Sequence, residues 1–276
     1  MPAANERALE KAKTIASDAL IFDLEDAVSP ESKDAARDNA VKAASSGEYG
    51  KREITIRCNG LDTPWGSADI AAAAKSCASS IVIPKVSNAA MIDEVSKHLD
   101  AAGAPAEMKI WAMVETPSAI FNAREIAAHP RVAVLVMGTN DLVKELHAVQ
   151  VPGRAPVISH LATALLAARE ADKPILDGVY NDIKNADGFR AECVQGMQMG
   201  FDGKTLIHPD QVAVANEVWA PGEADVEHAH RVIEAFNTAR AEGKGVVQLD
   251  GKMIENLHVA NAERLIAIAS AIAELS

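Results

Sequence analysis

Trp111-Ala112-Met113-Val114-Glu115-Thr116-Pro117 and Val134-Leu135-Val136-Met137-Gly138-Thr139-Asn140-Asp141-Leu142 decide how this chain reads. Each is an apolar run of strand character with a carboxylate just beyond its end. In a parallel α/β protein the carboxyl ends of neighbouring strands converge on one face, so Glu115 and Asp141 can share a divalent cation there. Two hard carboxylate ligands, completed by water and a chelating substrate, suit Mg²⁺, with Mn²⁺ as a substitute.

Outward from these runs, short apolar stretches alternate with Ala-rich stretches of helical period, the pattern of βα units around a parallel sheet. The strands are expected at Ala19 to Phe22, Ile54 to Arg57, Ser80 to Pro84, Lys109 to Val114, Ala133 to Met137, Pro174 to Val179 and Thr205 to Ile207. Helix starts are expected at Ser29-Pro30, Ser87-Asn88 and Thr116-Pro117, with a first helix over Asn5 to Ala16. A chain of 276 residues that is 49% hydrophobic can bury one large core. The expected fold is a TIM (β/α)8 barrel over residues 1–220, with a helical C-terminal extension over 221–276. Only seven strands are legible, so Met1-Pro2 is either the stump of a shortened first strand or the barrel closes imperfectly there.

The net charge of −12 argues against nucleic-acid binding, which draws on clustered Lys and Arg. Cys58, Cys77 and Cys193 show no Cys-x-x-Cys spacing, which suits reduced thiols. No apolar run reaches 18 residues, and Met-Pro-Ala-Ala-Asn-Glu-Arg lacks a signal-peptide core. A cytoplasmic protein with no membrane partner is expected.

Further chemistry clusters at the same strand ends. Asp23-Leu24-Glu25-Asp26-Ala27-Val28 places three acids in four residues, which calls for a cation or basic neighbours. Asp26 reads either as a ligand-facing group or as a solvated helix start, and Asp23 and Glu25 as groups that orient metal-bound water. Arg57 offers a planar fork for a carboxylate or thioester oxygen; the alternative is a salt bridge to Asp23 and Glu25. Lys85 reads as an ion-pair partner of the acids, ahead of a Schiff-base lysine. His208 in Gly200-Phe201-Asp202-Gly203-Lys204-Thr205-Leu206-Ile207-His208-Pro209 is either a base or a hydrogen-bonded structural histidine.

Asn-Glu-Arg-Ala-Leu-Glu-Lys-Ala, Asp-Leu-Glu-Asp-Ala-Val, Ile-Arg-Cys-Asn, Ile-Pro-Lys, Glu-Thr-Pro-Ser-Ala and Gly-Phe-Asp-Gly-Lys-Thr-Leu-Ile-His-Pro occur in that order. Together they resemble the HpcH/HpaI, citrate lyase β-subunit-like lyases, which include malyl-CoA, β-methylmalyl-CoA and citramalyl-CoA lyases. The resemblance implies a TIM barrel of the phosphoenolpyruvate/pyruvate type, assembled as a homotrimer or hexamer. It implies Mg²⁺-dependent cleavage or Claisen-type formation of a carbon–carbon bond in a 3-hydroxyacyl-CoA thioester, giving acyl-CoA plus glyoxylate or pyruvate. It assigns Glu115 and Asp141 to the metal, Arg57 to substrate oxygens, Asp26 and Ala27 to the keto-acid carboxylate, and Asn5, Arg7 and Lys11 to the CoA side. In Lys252-Met253-Ile254-Glu255-Asn256, Glu255 stands where the CoA lyases generally carry an Asp that serves as acid/base group in a neighbouring subunit's site. Two related activities share these motifs: a citrate lyase β subunit, whose substrate rides on an acyl carrier subunit, and an aldolase acting on a free hydroxy-keto acid.

Overall fold

In the computed structural model, which describes residues 1–275, the chain divides into two compact units, Met1–Val218 and a second from Trp219 onward. The first contains seven parallel strands: β1 (Ala19–Asp23), β2 (Glu53–Arg57), β3 (Ser80–Ile83), β4 (Lys109–Val114), β5 (Val132–Met137), β6 (Ile175–Asp177) and β7 (Gly203–Lys204). They pair strictly in sequence order. Each crossover carries helix: α1 (Glu6–Ala12) precedes β1, and α2 (Lys33–Ala44), α3 (Gly66–Ala73), α4 (Ala89–Ala101), α5 (Pro117–Phe121), α6 (Ala123–Ala128), α7 (Thr139–Glu145), α8 (Ile158–Glu170), α9 (Ala186–Met199) and α10 (Val212–Trp219) follow.

Side-chain alternation builds two buried layers. Val82, Trp111, Val134 and Val136 cluster on one face with Ile21, Met113 and Leu176. Ile81, Ile83, Ile110, Ala112, Leu135 and Met137, on the alternate positions, are buried as well. Burial on both faces is why these strands read as continuous apolar runs.

The expectation of eight strands is met only in part. Pro2 makes a single parallel bridge to Asp23: the Asp23 N–H donates to Met1 O and the Ala3 N–H to Asp23 O, each at 2.9 Å. This is an isolated bridge, and the sheet has seven strands. The last strand lies two residues earlier than expected, at Gly203–Lys204 instead of Thr205 to Ile207. Gly203 fits closely over Leu176, and the side chain of Gln211 then takes the Ile207 and His208 N–H groups, drawing the chain off the sheet. The first helix stops at Ala12 because the Arg52 guanidinium claims the carbonyls of Ala12, Lys13 and Ile15. The helix expected to start at Thr116-Pro117 breaks at Asn122 into α5 and α6. Asn88 and Thr116 cap their helices as the sequence suggested, whereas Ser29 opens a single 3₁₀ turn without a side-chain cap bond.

A buried ion cluster closes the far edge. Asp177 accepts from Arg154 Nη1 at 2.6 and 2.8 Å and from Lys204 Nζ at 3.0 Å, and Lys204 also reaches Glu192 at 2.8 Å.

The second unit pairs α11 (Glu223–Ala241) with α12 (Asn256–Leu275) around an antiparallel hairpin of β8 (Val247–Leu249) and β9 (Lys252–Ile254). Its core is Ala229, Val232, Phe236, Ile254 and Ala262. The hairpin was not legible, because its strands are only three residues long and β9 exposes Lys252 and Met253. Among the described residues, no helix is long and apolar enough to cross a membrane.

Leu135 is fully buried in the central pair of strands. Leu135→Ala is expected to lower the unfolding free energy of the first unit by about 2–5 kcal/mol, read as a fall in the urea midpoint.

Candidate active site

Five strand ends, those of β1 to β5, supply the site. β4 hands over Glu115, which is 2% exposed; its Oε1 accepts the Lys85 backbone N–H at 2.8 Å. Lys85 follows β3 with φ of 51°, a left-handed conformation that an L-residue with a side chain pays to adopt. That turn aims its N–H at the carboxylate. After β5, Gly138 lies directly against Glu115: a Cβ there would stand well inside contact with Glu115 Oε2 and Cβ. Asp141 sits in the first turn of α7, partly exposed.

After β1, Asp23 organises the adjoining loop. Its carboxylate accepts Arg57 Nε and Nη2 at 2.6 Å each, the Glu25 N–H at 2.9 Å and the Ala27 N–H at 3.2 Å. Arg57 Nη1 reaches Glu25 Oε2 at 2.7 Å, and Lys85 Nζ reaches Glu25 Oε1 at 3.2 Å and Asp141 Oδ2 at 3.7 Å. Five of the chemistry-bearing residues, Asp23, Glu25, Arg57, Lys85 and Asp141, therefore form one chain of ion pairs, and Glu115 joins it through the Lys85 N–H.

The charges respond to this crowding. Burial pushes the Glu115 carboxyl up to about 7, with Asp141 and Glu25 adding to the rise and the Lys85 N–H and ammonium opposing it. Glu25 is raised by burial as well, against the pull of Arg57 and Lys85. Burial would also raise Asp23, but the Arg57 fork outweighs it and holds the group below the usual carboxylate range.

The donor set fits a divalent cation. Glu115 is a buried carboxylate that resists ionisation without added positive charge, and Asp141 is close enough to disfavour that ionisation further. Among the described residues no three His, Cys, Asp or Glu side chains gather as a metal cluster, so water or substrate oxygens would complete the coordination.

The other expected residues fall as follows. Asp26 and Ala27 are exposed in the loop that Asp23 holds. Arg57 makes the salt bridges to Asp23 and Glu25 that were its alternative reading. Lys85 is an ion-pair partner, as expected. Asn5 caps α1 by accepting the Ala8 N–H, and Arg7 and Lys11 stand exposed one turn apart on that helix. His208 Nδ1 accepts the Asp210 N–H and caps the following turn, which is the structural alternative. Glu255 belongs to the second unit and immediately precedes α12; it is exposed, and its N–H donates to His258 Nδ1.

Sequence reasoning missed the support beneath the loop. Lys33 is 6% exposed, and its ammonium donates to Leu24 O, Glu25 O and Asn59 Oδ1 at 2.7–2.8 Å. Asn59 is in turn bound by Asp69, which pairs with Arg37. Lys33 and Asp69 look like surface charges of amphipathic helices, and only their burial reveals the role.

Two outcomes follow. Gly138→Ala is expected to displace Glu115 and weaken Mg²⁺ binding by at least about tenfold, read by calorimetry, with far-UV circular dichroism unchanged. Because the Glu115 pKa is raised, the metal-free protein keeps this group's contribution to stability at low pH and loses it as the pH rises through about 7. Cation binding needs the ionised form, so the thermal shift produced by Mg²⁺ is expected to grow from pH 6 to pH 8.

The profile of the HpcH/HpaI aldolase/citrate lyase family matches residues 1–209. A (3S)-malyl-CoA thioesterase of Cereibacter sphaeroides is 50% identical over 273 residues, covering 99% of this chain and 94% of the relative. The citrate lyase subunit beta of Escherichia coli is 35% identical over 261 residues, covering 92% and 86%. Among solved structures, the CitE protein of Mycobacterium tuberculosis in complex with magnesium, acetoacetate and coenzyme A superposes with a TM-score of 0.79 at 27% identity, covering 98% of this chain and 96% of that one. The chain is an enzyme that belongs to the HpcH/HpaI aldolase/citrate lyase family.

Proposed function

We propose that this protein is a Mg²⁺-dependent lyase that cleaves, or forms by condensation, the carbon–carbon bond of a 3-hydroxyacyl-CoA thioester of the malyl-CoA type. The observation that carries the reading is Glu115: a buried strand-end carboxylate, raised to about 7 and facing further acids, in a site built to receive a cation. Magnesium and coenzyme A occur together in the CitE neighbour, and malyl-CoA is the thioester named for the relatives at 50% identity.

Glu115 and Asp141 would hold the cation, whose chemistry is Lewis-acid polarisation of the carboxylate and hydroxyl (or keto) oxygens of the acid portion. The exposed Asp26-Ala27 segment lies on the side of the site that takes that carboxylate. Transfer of the hydroxyl proton to the Glu255 carboxylate of another copy of the chain breaks the bond between the hydroxyl-bearing carbon and the carbon next to the thioester, releasing glyoxylate; the electron pair becomes the enolate of the acyl-CoA. Arg57, held at the mouth by Asp23 and Glu25, places positive charge where the enolate oxygen develops charge. Glu255 of another copy of the chain is the acid that returns a proton to carbon, in a trimer or hexamer of closed barrels whose eighth position Pro2 begins. Asn5, Arg7 and Lys11 serve the CoA side. The free thiols Cys58, Cys77 and Cys193 suit the cytoplasm.

A second reading, thioester hydrolysis, is favoured by the thioesterase relatives. The same chelated acid would be held, and water would attack the thioester carbonyl instead. One assay separates them: malyl-CoA, β-methylmalyl-CoA and citramalyl-CoA are incubated with Mg²⁺ while keto acid and free thiol are followed. The lyase releases glyoxylate or pyruvate with no free thiol; hydrolysis releases free CoA and the hydroxy acid. Loss of either reaction in EDTA is expected. Arg57→Met is expected to lower kcat by about a hundredfold or more, the scale for losing a group that stabilises a developing oxyanion. Turnover of none of the three thioesters would overturn both readings.

A further inference from the structure

Lys85 is more than a partner for one acid. Its ammonium stands 3.2 Å from Glu25 Oε1 and 3.7 Å from Asp141 Oδ2, while its own backbone N–H holds Glu115 Oε1 at 2.8 Å. The left-handed turn at φ of 51° makes this double engagement possible, since it turns the N–H toward Glu115 while the side chain crosses to the other two acids. One residue thereby touches three carboxylates, two of which are the cation ligands of the proposed function. The ammonium is also half exposed, with 46% of the side chain open to solvent, while the side chains of Glu25 and Asp141 are 10% and 22% exposed. It is anchored through its backbone N–H, while its side chain is partly open to solvent.

Arg57 alone does not balance these acids. Its fork is committed to Asp23, with one further contact to Glu25, which leaves Asp141 and Glu115 without a guanidinium. The Lys85 ammonium reaches Asp141, and its field also acts on Glu115.

We propose that Lys85 is a built-in counter-cation of the Glu115–Asp141 site: its ammonium occupies the neighbourhood of the metal in the metal-free enzyme and withdraws toward Glu25 when a divalent cation binds. The inference rests on the assignment of Glu115 and Asp141 as ligands. The consequence is a site that stays ordered without metal but binds it weakly and exchangeably, since each binding event must overcome a resident positive charge a few ångströms away. Glu25 is the receiving group, already in contact with the ammonium and needing no new partner. Lys85 is here a positioning and charge-compensating residue and touches no reacting atom.

The test is metal affinity. Mn²⁺ binding to the whole protein is measured by electron paramagnetic resonance of free Mn²⁺, and Mg²⁺ binding by calorimetry, for the wild type, Lys85→Met and Lys85→Arg. The expected result is tighter binding to Lys85→Met, on the order of tenfold for removal of one unit charge at this range, with Lys85→Arg near the wild type. Equal or weaker binding to Lys85→Met overturns the inference while leaving the ligand assignment intact. Failure of the wild type to bind either ion sinks both. If Lys85→Met does not fold, Lys85→Gln replaces it.

Discussion

Glu115 is a carboxylate with almost no water around it, and the mouth of the sheet is arranged around that fact. An ionised carboxylate out of water is costly unless hydrogen-bonded and compensated, so it either keeps its proton or recruits a cation. Here one backbone N–H is delivered by a strained turn at Lys85, and room is made by the missing side chain at Gly138. Those two features come from the neighbouring strands on either side. The parallel order β3-β4-β5 is therefore what makes the site possible: it is the register of those three strands that puts Lys85, Glu115 and Gly138 side by side.

The adjoining loop obeys the same logic with the opposite sign. Asp23 lies equally deep but is satisfied by a guanidinium fork and two N–H groups, so it stays ionised and acts as a fixed negative charge that holds Arg57. Lys33 secures the carbonyl side of that loop from beneath, and Asn59, Asp69 and Arg37 carry the tie into α2 and α3. Two buried acids at the ends of β1 and β4 thus have different proton affinities because their immediate partners differ, which is how a single mouth can offer both a cation-seeking group and a permanent anchor.

Much of this was legible in the sequence, and for physical reasons. A parallel strand buried on both faces must be a continuous apolar run, so β1 to β5 stood out, and a polar residue just past such a run has nowhere to go but the mouth. That identified Glu115, Asp141, Arg57 and Lys85. Short elements failed the same logic: β7 has two residues and β9 three, too few for any period to register. Arg57 was readable as a mouth residue, but not which of its two possible partners it takes, since that depends on Asp23 facing it across the β1–β2 register. Lys33 and Asp69 were invisible because burial of a charge is set by tertiary packing, and nothing in the local pattern of a helix distinguishes them from solvated neighbours.

The most direct test of the central claim, that Glu115 and Asp141 together form one cation site, is anomalous diffraction from crystals grown with Mn²⁺. One strong peak within coordination distance of both carboxylates, about 2.0–2.2 Å, is expected. It should vanish in a Glu115→Gln/Asp141→Asn double variant of unchanged fold. A peak bound elsewhere, or one that persists in the double variant, would contradict the account.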